Sequence, residues 1–458
     1  MTEAMTLKEN ELQSLEERKN YVITVVGCGR MGLPTACLFS DAGFKVVCLD
    51  SDPCVVSQIN KGNSPFAEQG LSQLLKRNLR ENRVSATTDP KEAVSESNII
   101  ILTVNTPIDE KKQPDYSNLE GSCKNIGLSL KRGTLLIVES TVGPSITETL
   151  IQKTLEASSG LKAGVDFGLA YSPIRATFGR ALKDMTEYSR VVTGINRQSL
   201  LAAKAVLKTI VKGELVEVSN FRTAEAVKLF ELIYRDANIS LANEFALFCE
   251  TAGIDYYQAQ KAANTQPFCH LLRPGIVSGH ITKDPFLLID EAVDVGVKLR
   301  MTTLARNIND DVLKHAYNLV KSALRDCDKP VRRSRIAILG VSYRPNVKEA
   351  RGSLVPELVN LLKRMGAKVT VFDPYFTYKE LRNLGYNAEP TLDKTVEGTN
   401  CVLIAVGHNR FKRLSLGKIS VIMKKPSALV DLDHVVNPLR AMKEGFIYCG
   451  LGRGVWKK

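Results

Sequence analysis

The residues best placed to do chemistry come early. Gly27-Cys28-Gly29-Arg30-Met31-Gly32 is a GxGxxG run, and Asp50 stands eighteen positions after its last glycine. An apolar, β-branched stretch, Tyr21–Val26, precedes the run. A helical pattern over Leu33–Ala42 follows it, and then a second apolar stretch, Lys45–Leu49, that ends at Asp50. Strand, glycine turn, helix, strand and terminal acid in that order form the fingerprint of a dinucleotide site. Gly27 permits the tight turn, Gly29 lets the backbone approach a pyrophosphate, and Gly32 allows close helix–strand packing. The loop through Arg30 and Met31 leads into a helix N-terminus, whose N–H groups and dipole favour phosphate. Asp50 is expected to accept from ribose hydroxyls and to repel a 2′-phosphate, so the expected cofactor is NAD rather than NADP.

Further candidates lie at strand ends. Asn105-Thr106-Pro107 follows the apolar run Ile99–Val104, and Ser140-Thr141-Val142 follows Thr134–Glu139. In doubly wound sheets ligands bind outside the carboxyl ends of strands, so Thr106, Pro107 and Thr141 should line the cofactor cleft. Lys228 lies in the second turn of a long helical pattern, where burial would lower its proton affinity. A glycine- and proline-rich segment runs from Arg273 through His280 to Asp284-Pro285. Arg344, Lys348 and Arg351 cluster after another strand pattern and suit a phosphate-bearing ligand.

These residues need elements to hold them. Buried strands are expected at Tyr21–Val26, Lys45–Leu49, Ile99–Val104, Thr134–Glu139, Gly168–Tyr171 and Val191–Gly194. A second α/β pattern starts at Arg335–Leu339 and continues with Lys368–Phe372, Cys401–Ala405 and Leu429–Val430. Its first turn, Gly340-Val-Ser-Tyr343-Arg344-Pro345, lacks GxGxxG and should serve a different ligand. Between the two patterns Thr223–Gly253 reads as one helix, with Thr223 as N-cap and Gly253 as its C-terminal glycine. Its apolar residues cover most sides, which predicts burial on most sides. Helices are also expected over Ile254–Asn264, Leu287–Val295 and Met301–Asp326. The expected architecture is α/β, with two Rossmann-like doubly wound domains joined by a central long-helix dimerisation region. Its parts are a polar tail (1–20), a first domain (21–218), a central helical region (219–330) and a second domain (331–458).

At 458 residues, 44% hydrophobic and 24% charged, the composition is that of an ordinary globular protein. A net charge of +13 without an arginine-rich stripe interleaved with aromatics speaks against nucleic acid and suits an anionic small molecule. The ten cysteines form no CxxC pair, which indicates free thiols in a reducing, cytoplasmic compartment and no metal site. No apolar run reaches eighteen residues, so no membrane span is expected. The first twenty residues lack the apolar centre of a signal peptide.

Several motifs in order give the chain a wider resemblance. VNTP (Val104–Pro107) with Pro114-Asp115, ESTV (Glu139–Val142), Lys228 in KLFELIYRDANISLANE, PGIVSGHITKDP, GVSYRPNVKEARGS and the terminal GLGRG accompany the glycine loop. From Tyr21 to Arg453 the chain resembles the UDP-glucose/GDP-mannose dehydrogenase family, and most closely its UDP-N-acetylhexosamine branch. The resemblance implies an NAD domain, a dimerising centre and a nucleotide-sugar domain. It also implies oxidation of a sugar CH2OH to a carboxylate in two NAD-dependent steps through a cysteine thioester. By resemblance Tyr343, Arg344 and Arg351 contact the nucleotide sugar and Thr141 holds the hydrolytic water. Lys228 stabilises oxyanion charge, and Asp284 assists Lys228 or that water.

The sequence departs from this pattern where the chemistry happens. His280 fills the cysteine position without gaps, and Ile281 fills it with a one-residue shift. Leu232 stands for the asparagine one helical turn beyond the lysine, and Ile174 for the acid in the Ser172-Pro173-Ile174-Arg175 turn. One expectation is a dehydrogenase of altered route, with Lys228 as general base and His280 or Asp284 adjusting it. A second is a silent homologue that binds both ligands as a regulatory or hetero-oligomeric partner. A third is a cleft for another anionic substrate, made more apolar by Ile174 and Leu232.

Overall fold

The computed structural model describes Leu7 and residues 12–456. Contacts divide the chain into two units, residues 1–231 with 283–298 and residues 232–282 with 299–458.

In the first unit eight strands form one sheet. They are β1 (Val22–Val26), β2 (Lys45–Leu49), β3 (Val84–Thr87), β4 (Ile99–Leu102), β5 (Leu135–Val138), β6 (Gly168–Tyr171), β7 (Arg190–Gly194) and β8 (Leu215–Glu217). Their order is β3-β2-β1-β4-β5-β6-β7-β8. The first six run parallel in the dinucleotide-binding order, and β7 pairs antiparallel to β6. β4 and β5 are apolar at every residue because helices cover both faces of the sheet, and every residue of both is buried. The strand order reverses between β1 and β4, which places the crevice at the glycine turn.

In the second unit six strands form a sheet: β9 (Arg335–Leu339), β10 (Lys368–Phe372), β11 (Cys401–Ile404), β12 (Ser427–Asp431), β13 (Phe446–Gly450) and β14 (Gly454–Trp456). The order is β10-β9-β11-β12-β13-β14, parallel through β13, with β14 folded back antiparallel. This is the other common doubly wound order, and its switch point lies between β9 and β11.

The long helix spans Phe221–Ala252. It starts two residues before the expected N-cap, because the Asn220 side chain accepts from Thr223 N at 2.9 Å and outcompetes threonine as the cap. Its other end is as expected: Gly253 has φ +70°, and Ile254 N donates to Cys249 O at 2.9 Å, closing a Schellman turn. The expectation of burial on most sides does not hold within one chain. Ala224, Leu229, Ala242 and Ala246 are buried, whereas Phe230, Tyr234, Leu241, Phe245 and Phe248 are exposed.

Of the polar tail, residues 1–6 and 8–11 lie outside the described residues. Leu7 and Leu12 pack into the first core, and Arg18 donates to Leu12 O and Ala42 O. No helix among the described residues is long and apolar enough to cross a membrane.

Candidate functional site

The glycine turn is built around one carboxylate. Gly27 leaves β1 with φ +89° and donates to Leu49 O at 2.8 Å, while Cys28 N donates to Asp50 Oδ2 at 2.8 Å. Asp52 N satisfies Asp50 Oδ1 at 3.0 Å. A Cβ on Gly32 would lie 1.8 Å from Gly27 O, so only glycine lets the helix start this close to β1. A Cβ on Gly29 would meet nothing within 4 Å, which leaves the backbone there open to a ligand. An open glycine backbone, a helix N-terminus and a carboxylate at the end of β2 fit a dinucleotide. Arg30 lies 5.4 Å from the Phe178 ring centroid, and Met31 packs against the Ile174, Ala181 and Met185 cluster.

The two polar turns are tied together at the carboxyl ends of β4 and β5. Thr106 Oγ1 donates to Thr141 O at 2.6 Å, and Ser140 Oγ donates to Val104 O at 2.7 Å. Thr106 is buried, while Pro107 and Thr141 are half-buried. Lys283 joins them from the segment before the helix Asp284–Asp294. Its Nζ donates to Thr106 O at 2.7 Å and to Asp284 Oδ1 at 2.7 Å. Asp284 is 1% exposed, so its charge is balanced inside the protein by the preceding residue.

Lys228, half-buried, stands one turn after Glu225 on the long helix. Glu225 is fully buried and accepts from Ser145 N at 2.7 Å and Thr147 N at 2.8 Å. Burial pushes its carboxyl up to about 7 despite these bonds. Deeper in the sheet Arg190 donates to Glu139 Oε1 at 2.6 Å and to Ser172 O at 2.8 Å, so the acid of the ESTV turn serves a buried ion pair.

The second unit repeats the first turn and then closes it. Gly340 has φ +90° and donates to Phe372 O at 2.8 Å, and Val341 N donates to Asp373 Oδ2 at 2.8 Å, as Gly27, Cys28 and Asp50 do in the first. Asp373, however, is fully buried, with Ser342 Oγ at 3.2 Å and His408 Nε2 at 3.0 Å from the same oxygen. Burial alone would raise its pKa, but bonds from His408 and backbone N–H groups hold it below the usual carboxylate range. The acid that holds ribose in a dinucleotide site is consumed internally here, which agrees with the missing GxGxxG.

Around that turn the structure brings His280 to the expected sugar-binding residues. His280, exposed, sits in the 3-10 turn Gly279–Thr282. Gly279 N donates to Gly352 O at 2.9 Å, and a Cβ on Gly279 would meet the Tyr343 ring at 3.2 Å. Asn243 Oδ1 accepts from Gly275 N at 2.7 Å and steadies the approach to the turn. Arg344 reaches over Tyr343, with its guanidinium 6.0 Å from the ring centroid. Arg351 grips Glu349 through Nε at 3.2 Å and Nη2 at 3.1 Å, and Lys348 pairs with Glu380 at 2.6 Å. Thr106, Thr141, Lys228 and Asp284 thus belong to the first unit with the glycine loop, whereas His280, Tyr343, Arg344 and Arg351 belong to the second.

Comparison with known proteins decides the family. The sequence matches the NAD binding domain of the UDP-glucose/GDP-mannose dehydrogenase family over residues 21–212, its central domain over 222–311 and its UDP binding domain over 337–438. The chain belongs to this family. It is 33% identical to the UDP-N-acetyl-D-mannosamine dehydrogenase of Pyrococcus horikoshii, over 94% of this chain and 99% of that one. The solved structure of that dehydrogenase superposes with a TM-score of 0.86. It is 30% identical to the UDP-N-acetyl-D-glucosamine 6-dehydrogenase of Pseudomonas aeruginosa, over 92% and 98% of the two chains. A UDP-glucose dehydrogenase structure from Pyrobaculum islandicum, 25% identical over 94% and 98%, gives a TM-score of 0.84. The cofactor of this family member is NAD.

Ile174 is buried among Met31, Leu38 and Met185, in an apolar cluster beside the glycine loop. Leu232 is half-buried one turn beyond Lys228, and Ile281 is buried beneath the exposed His280. Cys269 lies beside Asn264 in the loop upstream of the turn, with Sγ 3.8 Å from Asn264 Oδ1. Sequence reasoning passed over Lys283, Glu225 and the Asp373–His408 pair. The signal for Lys283 was a cation directly before a buried aspartate and proline, and for Glu225 an acid on the Lys228 face of an apolar helix.

Proposed function

We propose that the chain is an NAD-dependent oxidoreductase acting on a CH–OH group of a nucleotide sugar and that it performs a single two-electron oxidation. The supporting observation is a complete glycine loop in a chain whose thiol position carries His280, on a turn fixed against Tyr343 and Gly352. The names of the matched relatives support a UDP-N-acetylhexosamine as the substrate class. Bound NAD supplies the hydride acceptor. Lys228 takes the hydroxyl proton as the carbon gives up its hydride. Arg344 and Arg351 bind the diphosphate, Arg351 exchanging Glu349 for a phosphate oxygen, and Tyr343 packs beside them. His280 offers a proton-carrying imidazole in place of a nucleophilic sulfur. No thioester forms, and the aldehyde or ketone leaves as product. Residues 21–218 serve the cofactor, 331–458 the sugar nucleotide, and 219–330 join two copies in a homodimer. The ten free thiols suit a cytoplasmic location.

Counting NADH formed per sugar consumed, over a panel of UDP- and GDP-sugars, tests this. One NADH per sugar is expected, and two would overturn the single-oxidation reading. None, with NAD and UDP-sugar both binding in calorimetry, would favour a silent homologue acting as a regulatory or hetero-oligomeric partner. The internal pairing of Arg351 with Glu349 and of Lys348 with Glu380 is the observation on that side.

A further inference from the structure

The turn after β9 carries Tyr343 and Arg344 and is braced from two directions. Inside it, Tyr343 N donates to Glu349 O at 2.9 Å and Ser342 Oγ to Val347 O at 2.7 Å. The stretch between, Arg344-Pro345-Asn346, is held from outside. Asn346 has φ +64°, a left-handed conformation that costs any residue but glycine and persists where its surroundings fix it. Its backbone N–H donates to His408 Nδ1 at 2.9 Å, and its Oδ1 accepts from Asn409 N at 2.8 Å.

His408 is fully buried, with the Tyr375 and Phe411 rings against it at centroid distances of 4.9 and 5.4 Å. Because a backbone amide donates to Nδ1, that nitrogen carries no proton. Nε2 is therefore the N–H that donates to Asp373 Oδ2 at 3.0 Å. Asp373 does not depend on this proton alone, since Val341 N donates to it at 2.8 Å and Tyr375 N at 2.9 Å. The imidazole does more than satisfy a carboxylate. Its second nitrogen ties the loop after β11 to the turn after β9, and these two strands are parallel neighbours at the switch point. A doubly wound sheet receives its ligand there. Arg344 Nε, two residues from the tie, is buried with no hydrogen-bond partner among the described residues, which suits a guanidinium that takes an anion.

We propose that His408 is a positioning residue of the nucleotide-sugar site. Its Nδ1 holds Asn346, and through Asn346 the Tyr343–Arg344 turn, in the shape that receives the diphosphate. The proposal rests on the reading of Tyr343 and Arg344 as nucleotide-sugar contacts.

Two amide replacements separate the roles of the two ring nitrogens. The side-chain oxygen of H408N falls near Nδ1 and can accept from Asn346 N. The longer H408Q places its amide near Nε2 and serves Asp373 alone. UDP and NAD binding are measured separately by titration calorimetry on the full chain, beside a melting curve for each variant. H408Q should weaken UDP binding about tenfold or more, the cost of one buried N–H left unpaired. H408N should stay within about threefold of the wild type. NAD affinity should be unchanged in both, because the glycine loop lies in the other unit. Equal UDP affinity in the two variants, weaker UDP binding by H408N than by H408Q, or a parallel loss of NAD affinity would each overturn the proposal. If H408Q does not fold, H408A takes its place, and wild-type UDP affinity in H408A refutes the role. A wild type that binds no UDP at all would instead refute the functional reading on which this rests.

Discussion

At the scale of single residues, what matters is the difference between a sulfur and an imidazole at position 280. A thiolate adds to an aldehyde and carries it through a second oxidation, whereas an imidazole exchanges protons. Placing a sulfur at position 280 should not by itself give the four-electron chemistry. H280C is expected to remain about 10²–10³ below a full four-electron turnover, because Leu232 supplies no oxyanion donor and Ile174 no acid. NADH per sugar and single-turnover rates check this, and two NADH at high turnover from that one change would refute it. Glu225 gives a second prediction. Its carboxyl titrates at about 7 in the fold against ~4.3 in an unfolded chain, so the folded state holds the proton more tightly. Stability from this group is present below pH ~4.3 and is lost as the pH rises through 7. The wild-type melting temperature should therefore fall between pH 5 and 8 by several degrees more than that of E225Q. At pH 5 E225Q should itself be less stable by about 1–3 kcal/mol, since its amide NH2 faces one of the two backbone N–H donors of Ser145 and Thr147. Parallel melting curves for the two proteins would show that Glu225 does not titrate in this range.

At the scale of elements, the long helix carries two faces with different tasks. The buried face packs small residues, Ala224, Ala242 and Ala246, around polar anchors such as Asp236 and Asn243. Asp236 accepts from Arg306 at 2.6 Å and from Asn309 at 2.8 Å, and Asn243 donates to Asn309 at 2.8 Å. The other face shows Phe230, Tyr234, Leu241, Phe245 and Phe248, which at 100° per residue stand within about 60° of one another. Phe230, Tyr234 and Phe248 are 58%, 65% and 64% exposed, more aromatic surface than a lone helix leaves in water. This stripe is the surface proposed to join two copies. F248D should weaken self-association by about 30-fold or more, as loss of a central aromatic anchor does. Sedimentation across a concentration series checks it, and an unshifted dimer would remove the stripe from the interface.

At the scale of the whole molecule, the sequence by itself determined the strongly apolar elements and what the first domain holds. Period and composition alone fixed β1, β2, β6, β9 and β10 to within a residue, because strands of a covered parallel sheet carry short, mostly apolar runs. The glycine loop with Asp50 was legible for a similar reason: close helix packing against β1 tolerates no Cβ at Gly32. Short, mixed strands such as β3 and β8 carry no such constraint and gave no signal. Other facts belong to the tertiary structure only. That Asp373 is plugged by His408 while Asp50 stays available depends on groups 35 residues apart meeting at one oxygen. That Lys283 reaches the Thr106 carbonyl, 177 positions away in the chain, is likewise beyond any local pattern. Local spacing reports the periodic burial of a backbone, whereas the partner of a charge is chosen only when folding brings distant strand ends together.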